Sequence, residues 1–179
     1  MSPLFRIYLV RGLVAIAWAA GFSTVSDSLT ATAVVLLIAY PLIDVVASLL
    51  DVREDRGTPA RKLQIFNTTL SALAALALGL AAGSGIGSVL FTFGAWAIVS
   101  GVAQFTVAIR RNSPELGRQW PMLVAGALSV IAGVTYLPAA LGAEPNLSML
   151  IVYTAAGGVF FVLQAASLAW RQRRQTVRV

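Results

Sequence analysis

Two charges stand in stretches of sequence too apolar for them. Arg11 lies within SPLFRIYLVRGLVAIAWAAG and Asp44 within LIAYPLIDVVASLL. A charged side chain inside hydrocarbon is costly, so a retained one marks a pair, a route to water or a functional site. Arg11 comes six residues after Phe5, and Asp44 comes six before Leu50. At about 1.5 Å of rise per helical residue, both lie about 9 Å from the same membrane boundary. On adjacent antiparallel helices the two charges can meet. One reading is an ion pair that fixes helix register. A second has Arg11 snorkelling to water and leaving Asp44 partly hydrated. A third makes Asp44 a proton or cation site. Asn67, Ser100, Gln104 and Gln164 are polar groups in the same half of their segments. They either line a shared polar cavity or make interhelical hydrogen bonds worth about 1 kcal/mol each.

Other chemistry is excluded by residue type. The chain has no histidine and no cysteine. A Ser–His nucleophile, a thiolate, a disulfide framework and a Cys/His zinc site are therefore all impossible. GSGIGS over 83–88 is rich in glycine but lacks the Lys-Ser/Thr of a phosphate-binding loop, and reads as a tight turn. An intramembrane pair of carboxylates needs two deep acids, and on this reading only Asp44 is deep. The expectation is a non-enzymatic protein with no catalytic, cofactor-binding or metal-binding residue.

The elements that must position Arg11 and Asp44 follow from composition. Hydrophobic residues make up 58% of the 179, charged residues only 11%, and mean hydropathy is +0.83. A soluble domain carries about 25% charged residues. Six stretches reach the roughly 20 apolar residues that span a bilayer as a helix: 5–25, 29–50, 63–82, 88–109, 120–141 and 147–170. The fold class expected is all-α, a polytopic membrane protein forming a single domain over 1–179. Arg6 and Arg11 followed by Leu13–Gly21 imitate a secretory leader. Because the apolar run continues to Val25, it is read as the first span.

Charge sets the expected orientation. The short connections after the first, third and fifth spans contain no Lys or Arg. All 13 basic residues fall on or near the other side: Arg6 and Arg11 early in the first span, and the rest in the connections 51–62 and 110–118 and the C-terminal tail. By the positive-inside rule both termini are expected in the cytoplasm, in a bacterial inner membrane. The net charge of +6 sits at helix ends, so nucleic acid is not an expected partner. The lipid bilayer is, with anionic lipid at the basic face and its tail of Arg171, Arg173, Arg174 and Arg178.

The spans repeat. Tyr40, Trp96 and Tyr153 each precede Asp44, Ser100 and Gly157 by four, and Gly12, Thr69 and Gly126 follow a spacing of 57. Three parallel helical hairpins, about 5–52, 62–111 and 119–171, with a basic tail at 171–179, are therefore expected about a pseudo-threefold axis. Pro41, deep in the second span, is expected to kink it near Leu37. Small residues recur in steps of three and four. Gly94, Ala97 and Gly101 form one stripe, Gly126, Ser129 and Gly133 a second, and Ala75, Gly79 and Gly83 a third. Such stripes let helix backbones approach closely in lipid, or receive a substrate or partner chain. Trp120 and Trp170 suit the membrane interface; Trp18 and Trp96 suit space between helices.

Arg11-Gly12 opening the first span, GAWAIVSGVAQFTVAIRRN in the fourth and WPMLVAGALSVIAGVTYLP in the fifth resemble the HdeD family. These are small six-helix bacterial membrane proteins built from a short repeat domain of unknown function. The resemblance covers most of the chain and is best from Gly94 to Pro138. It implies an inner-membrane protein linked to acid resistance or a related stress, and carries no catalytic residues with it. This chain departs from the pattern in having Asp44 where the other repeats have a small residue, and in the length and charge of the connection after the second span. Two further readings stay open: a small transporter or channel using the Arg11/Asp44 region, and an accessory subunit, homo-oligomeric or bound to a larger membrane complex, that packs through its small-residue stripes.

Overall fold

Leu73, Leu76, Leu80 and Val152 are 60%, 69%, 80% and 72% exposed. Side chains of that kind on the surface need a hydrocarbon solvent, and the helices that carry them have the length for one. In a computed structural model describing residues 3–54, 60–112 and 117–176, six helices are formed: α1 (Pro3–Phe22), α2 (Ala31–Glu54), α3 (Ala60–Ala82), α4 (Ile86–Arg110), α5 (Trp120–Ala140) and α6 (Met149–Thr176). All six are long and apolar enough to cross a membrane. No strand occurs among the described residues. The chain is an all-α, multi-pass membrane protein.

The ends of the helices depart from expectation where charge was read as a boundary. α2 continues to Glu54, and α3 already begins at Ala60, so Arg61 and Lys62 belong to its first turn. α6 extends to Thr176 and takes Arg171, Arg173 and Arg174 into the helix. Arg56 and Arg178 lie outside the described residues. α2 runs unbroken through Pro41, which is buried. The indole N–H of Trp18 donates to the carbonyl of Leu36 at 2.8 Å beside it. The turn expected over 83–88 is shorter, at 83–85, because α4 already begins at Ile86; Gly85 at φ 103 caps it, a conformation that favours glycine.

The helices form a ring in chain order. Each packs against its neighbours in sequence, and α6 returns to pack on α1; no helix backbone reaches across to a non-neighbour. The closest seams are α4–α5, α1–α6 and α2–α3, and the sparsest are α1–α2 and α5–α6. The tight partnerships thus lie between the expected hairpins rather than within them. Glycine explains two of the three. A Cβ on Gly101 would stand 2.8 Å from the carbonyl oxygen of Gly126, and one on Gly133 would stand 2.6 Å from that of Gly94. α1 and α6 repeat this geometry through Gly12 and Gly158, at 2.7 Å and 2.8 Å. Ala97 is fully buried in the α4–α5 seam, and Ser129 Oγ donates to its carbonyl at 2.8 Å. The stripes of α4 and α5 are therefore spent on one another.

The third expected stripe does not behave this way. A Cβ on Gly79 would meet only the Ile38 side chain, at 3.3 Å, and one on Gly83 only the Leu80 carbonyl of its own helix. α3 packs against α2 through polar residues instead.

Aromatic rings fill the far half of the ring's centre. Tyr40, Phe93, Trp96, Tyr136 and Tyr153 come from α2, α4, α5 and α6, with centroids 5.1–6.3 Å apart. Edge-to-face pairs such as Tyr40–Trp96 and Phe93–Tyr153 suit the ring quadrupoles. Trp18 and Trp96 are buried, at 5% and 6% exposure. Trp120 and Trp170 are exposed at the basic end, with Arg118 and Arg174 stacked 4.0 Å and 3.8 Å from their ring centroids.

Candidate functional site

The α2–α3 seam is a ladder of polar side chains. Asp44, Ser48 and Asp51 recur at steps of four and three on α2; Gln64, Asn67 and Ser71 recur at three and four on α3. Such steps keep each set on one helical face. Because the helices are antiparallel, the sets pair in reverse order. Gln64 Nε2 donates to Asp51 Oδ2 at 3.0 Å. Asn67 Nδ2 donates to Ser48 Oγ at 3.1 Å and to Asp44 Oδ2 at 2.8 Å. Ser71 Oγ donates to the same Asp44 oxygen at 2.6 Å, and accepts the indole N–H of Trp96 at 3.1 Å.

Arg11 completes the set from α1, donating to Asp44 Oδ1 and forming the ion pair whose depth the sequence implied. Its guanidinium also stacks on Phe161 of α6, 4.1 Å from the ring centroid. A carboxylate with an arginine on one oxygen and two neutral donors on the other has its charge well compensated, as a buried anion requires.

This group faces a cavity of about 500 Å³. Arg11, Asp44, Asn67, Ser100 and Gln104 give it a polar end. Tyr40, Trp96, Tyr136 and Tyr153 form its aromatic wall, and the remaining lining is mostly apolar, from α5 and α6. Of the four polar residues expected to share a cavity with the pair, three do so. Gln164 does not line it. It is fully buried in α6, and neither end of its amide has a partner. Ser129 lies on the cavity too, where its hydroxyl and that of Tyr153 are 2.7 Å apart.

A second polar cluster, absent from the sequence reading, lies two turns nearer the basic end. Arg111 turns inward from the end of α4 and is 5% exposed. It donates to the hydroxyl of Tyr8 and approaches Asp51 Oδ2 at 3.5 Å. Gln119, capping α5, donates to the Arg111 carbonyl at 3.3 Å. The cluster ties α1, α2, α3, α4 and the start of α5 together. Its signal lies in the spacing: Asp51 follows Asp44 by seven residues, on the same face of a helix that runs four residues past the expected end at Leu50. Among the described residues, no three His, Cys, Asp or Glu side chains gather as a metal site would need.

Residues 68–137 match the family described as a short repeat of unknown function, DUF308, the repeat domain of the HdeD family. A curated relative, protoheme IX farnesyltransferase of Thermofilum pendens, is 31% identical over 101 residues. The matched part is 55% of this chain and 34% of that protein, so the likeness spans about a third of the relative's length. No solved structure matches the chain.

Proposed function

We propose, for a chain whose residues 68–137 match the short repeat of unknown function, DUF308, that it is a non-enzymatic inner-membrane protein of acid or membrane-stress tolerance, acting by binding a small molecule in the central cavity. Both termini are then in the cytoplasm, following the one-sided arginines. The observation that carries the reading is the placement of the Arg11–Asp44 pair on a cavity of about 500 Å³ rather than in a packed seam. Pockets for small ligands have volumes of about 300–1,000 Å³ and combine apolar walls with a few placed polar groups. A pair needed only for register has no use for such a space.

Two features support a binding role over catalysis. The chain has no histidine or cysteine. Asp44, the one carboxylate on the cavity among the described residues, is held by Arg11, Asn67 and Ser71. The farnesyl group named for the Thermofilum relative is an isoprenoid, and the apolar α5 and α6 walls suit a chain of that kind. The relative's transfer chemistry is not part of the proposal.

The transport reading draws on the same cavity and is separated from binding by flux in liposomes. The accessory-subunit reading loses two of its three stripes, because those of α4 and α5 face each other. The direct test is to fill the cavity while leaving the ion pair intact. Ser100→Phe, expressed in a strain lacking the protein, is expected to fold and reach the membrane yet fail to restore survival under acid or detergent stress. Full rescue by Ser100→Phe would remove the cavity from the function.

A further inference from the structure

The cavity's rim is where the ring is thinnest. α5 and α6 make the sparsest contact of any neighbouring pair, and the cavity lining includes Leu128, Ile131 and Thr135 of α5 with Met149, Val152 and Ala156 of α6. Each set steps by three and then four, so each is one face of its helix. Leu128, Ile131 and Val152 are 45%, 58% and 72% exposed while also lining the cavity. Residues that do both mark an opening, and because α5 and α6 are both long and apolar enough to cross a membrane, that opening faces acyl chains rather than water. The slot extends over about two helical turns, about 10 Å.

At the inner end the polar groups specify a head. Among the described residues, the full charges on the cavity are Arg11 and Asp44, and they already neutralise each other. Asn67 is 8% exposed, and with its amide nitrogen committed to Asp44 and Ser48, its Oδ1 is buried without a partner. An amide oxygen of this kind needs a donor. Gln104 Nε2, whose contact is the Met122 sulfur at 4.0 Å, and the remaining N–H groups of Arg11 supply donors on the same wall. An uncharged hydroxyl both donates to Asn67 and accepts from these neighbours; a second full charge would enter without a counter-ion.

We infer that the slot between α5 and α6 admits a single-chain lipid with an uncharged hydroxyl head from the bilayer, its head held by Asn67 and its tail against the α5 and α6 walls. This rests on the cavity-binding reading above and names its ligand class and its route.

The test uses three probes with one tail, farnesol, farnesyl diphosphate and farnesylamine, added to the full chain in lipid nanodiscs and followed by native mass spectrometry. Farnesol is expected to bind one per chain, at least about tenfold more tightly than either charged probe. Val152→Trp and Leu128→Trp, on opposite lips of the slot, are expected to slow or abolish uptake with no change in thermal stability. Asn67→Leu is expected to reduce the preference for farnesol over the charged probes. Equal binding of all three heads overturns the head assignment, and undiminished uptake by both tryptophan variants overturns the route. No binding of any probe overturns the ligand class, and water as sole occupant is then the result. Loss of stress survival in Ser100→Phe alongside no farnesol binding leaves the cavity function standing and this inference fallen; the reverse pattern does the opposite.

Discussion

Asp51 lies seven residues beyond Asp44 on one face of α2, and an arginine from a different helix reaches each carboxylate: Arg11 of α1 meets Asp44, and Arg111 at the end of α4 meets Asp51. An amide from α3 meets each as well, Asn67 on the first and Gln64 on the second. α2 is therefore braced at two depths, with each brace joining three helices. The deeper one borders the cavity. The shallower one lies about two turns nearer the basic end.

The shallow brace gives the first prediction. Asp51 is completely buried, and the side chain of Arg111 is 3% exposed. Removing one member of a buried pair typically costs about 3–5 kcal/mol, whereas replacing both by apolar residues is often near neutral. Arg111→Met and Asp51→Leu should each lower the midpoint of denaturant unfolding in detergent, and the double variant should recover most of the loss. Additive losses in the double variant would show that the two residues are not energetically coupled.

The glycine seams give the second. Gly126→Ala and Gly158→Ala place a methyl group 2.8 Å from backbone atoms of the facing helix, which only a shift of that helix can relieve. Overpacking of this kind costs about 1–3 kcal/mol. Gly21→Ala meets nothing within 4 Å and should be neutral. Thermal unfolding of the three variants in one detergent checks the order; an unaffected Gly126→Ala would mean that the α4–α5 approach is looser than described.

How much of this was legible follows the physics of each signal. Six spans were readable because hydrocarbon imposes a length on every helix. The Arg11–Asp44 pair was readable because depth can be counted along two adjacent segments. The α4–α5 stripes were readable because small residues at steps of three and four leave little else to explain them. Asp51 and Arg111 were missed for one reason: near a helix end, charge reads as solvated, and only the packing of a third helix shows that it turns inward. The ring order was hidden too. Sequence spacing marked hairpins joined by short turns, but backbone approach in lipid depends on which faces are smooth. Those faces belong to helices joined by the longer basic connections, or by closure of α6 on α1. Close seams alternating with sparser ones are what three related hairpins would produce, yet the seams differ in chemistry, two being glycine and one polar.

Orientation is checkable because the chain has no cysteine of its own. Lys62 and Arg173 are exposed at the basic end, and Ser84 and Gly142 are exposed in the turns at the opposite end. A maleimide that does not cross membranes, applied to intact cells, should label Ser84→Cys and Gly142→Cys and leave Lys62→Cys and Arg173→Cys unlabelled until the membrane is permeabilised. The reverse pattern would place the basic end outside and remove the positive-inside argument.

The last prediction concerns Ser71, which joins the polar seam to the aromatic centre. Its hydroxyl donates to Asp44 and accepts from Trp96, so one oxygen satisfies groups on two other helices. Ser71→Ala removes both bonds and leaves the indole N–H of Trp96, a residue 6% exposed, without its acceptor. Leaving a buried donor unsatisfied costs about 1–3 kcal/mol, more than the net worth of the bond. Trp96→Phe removes that orphan, at the expense of aromatic area. If the Ser71–Trp96 bond carries the coupling, the double variant is less destabilised than the two single losses added together, by about 1 kcal/mol or more. Chemical unfolding of all four forms in one detergent measures this directly. Simple additivity would mean that Ser71 serves Asp44 alone, and that seam and aromatic centre are held independently.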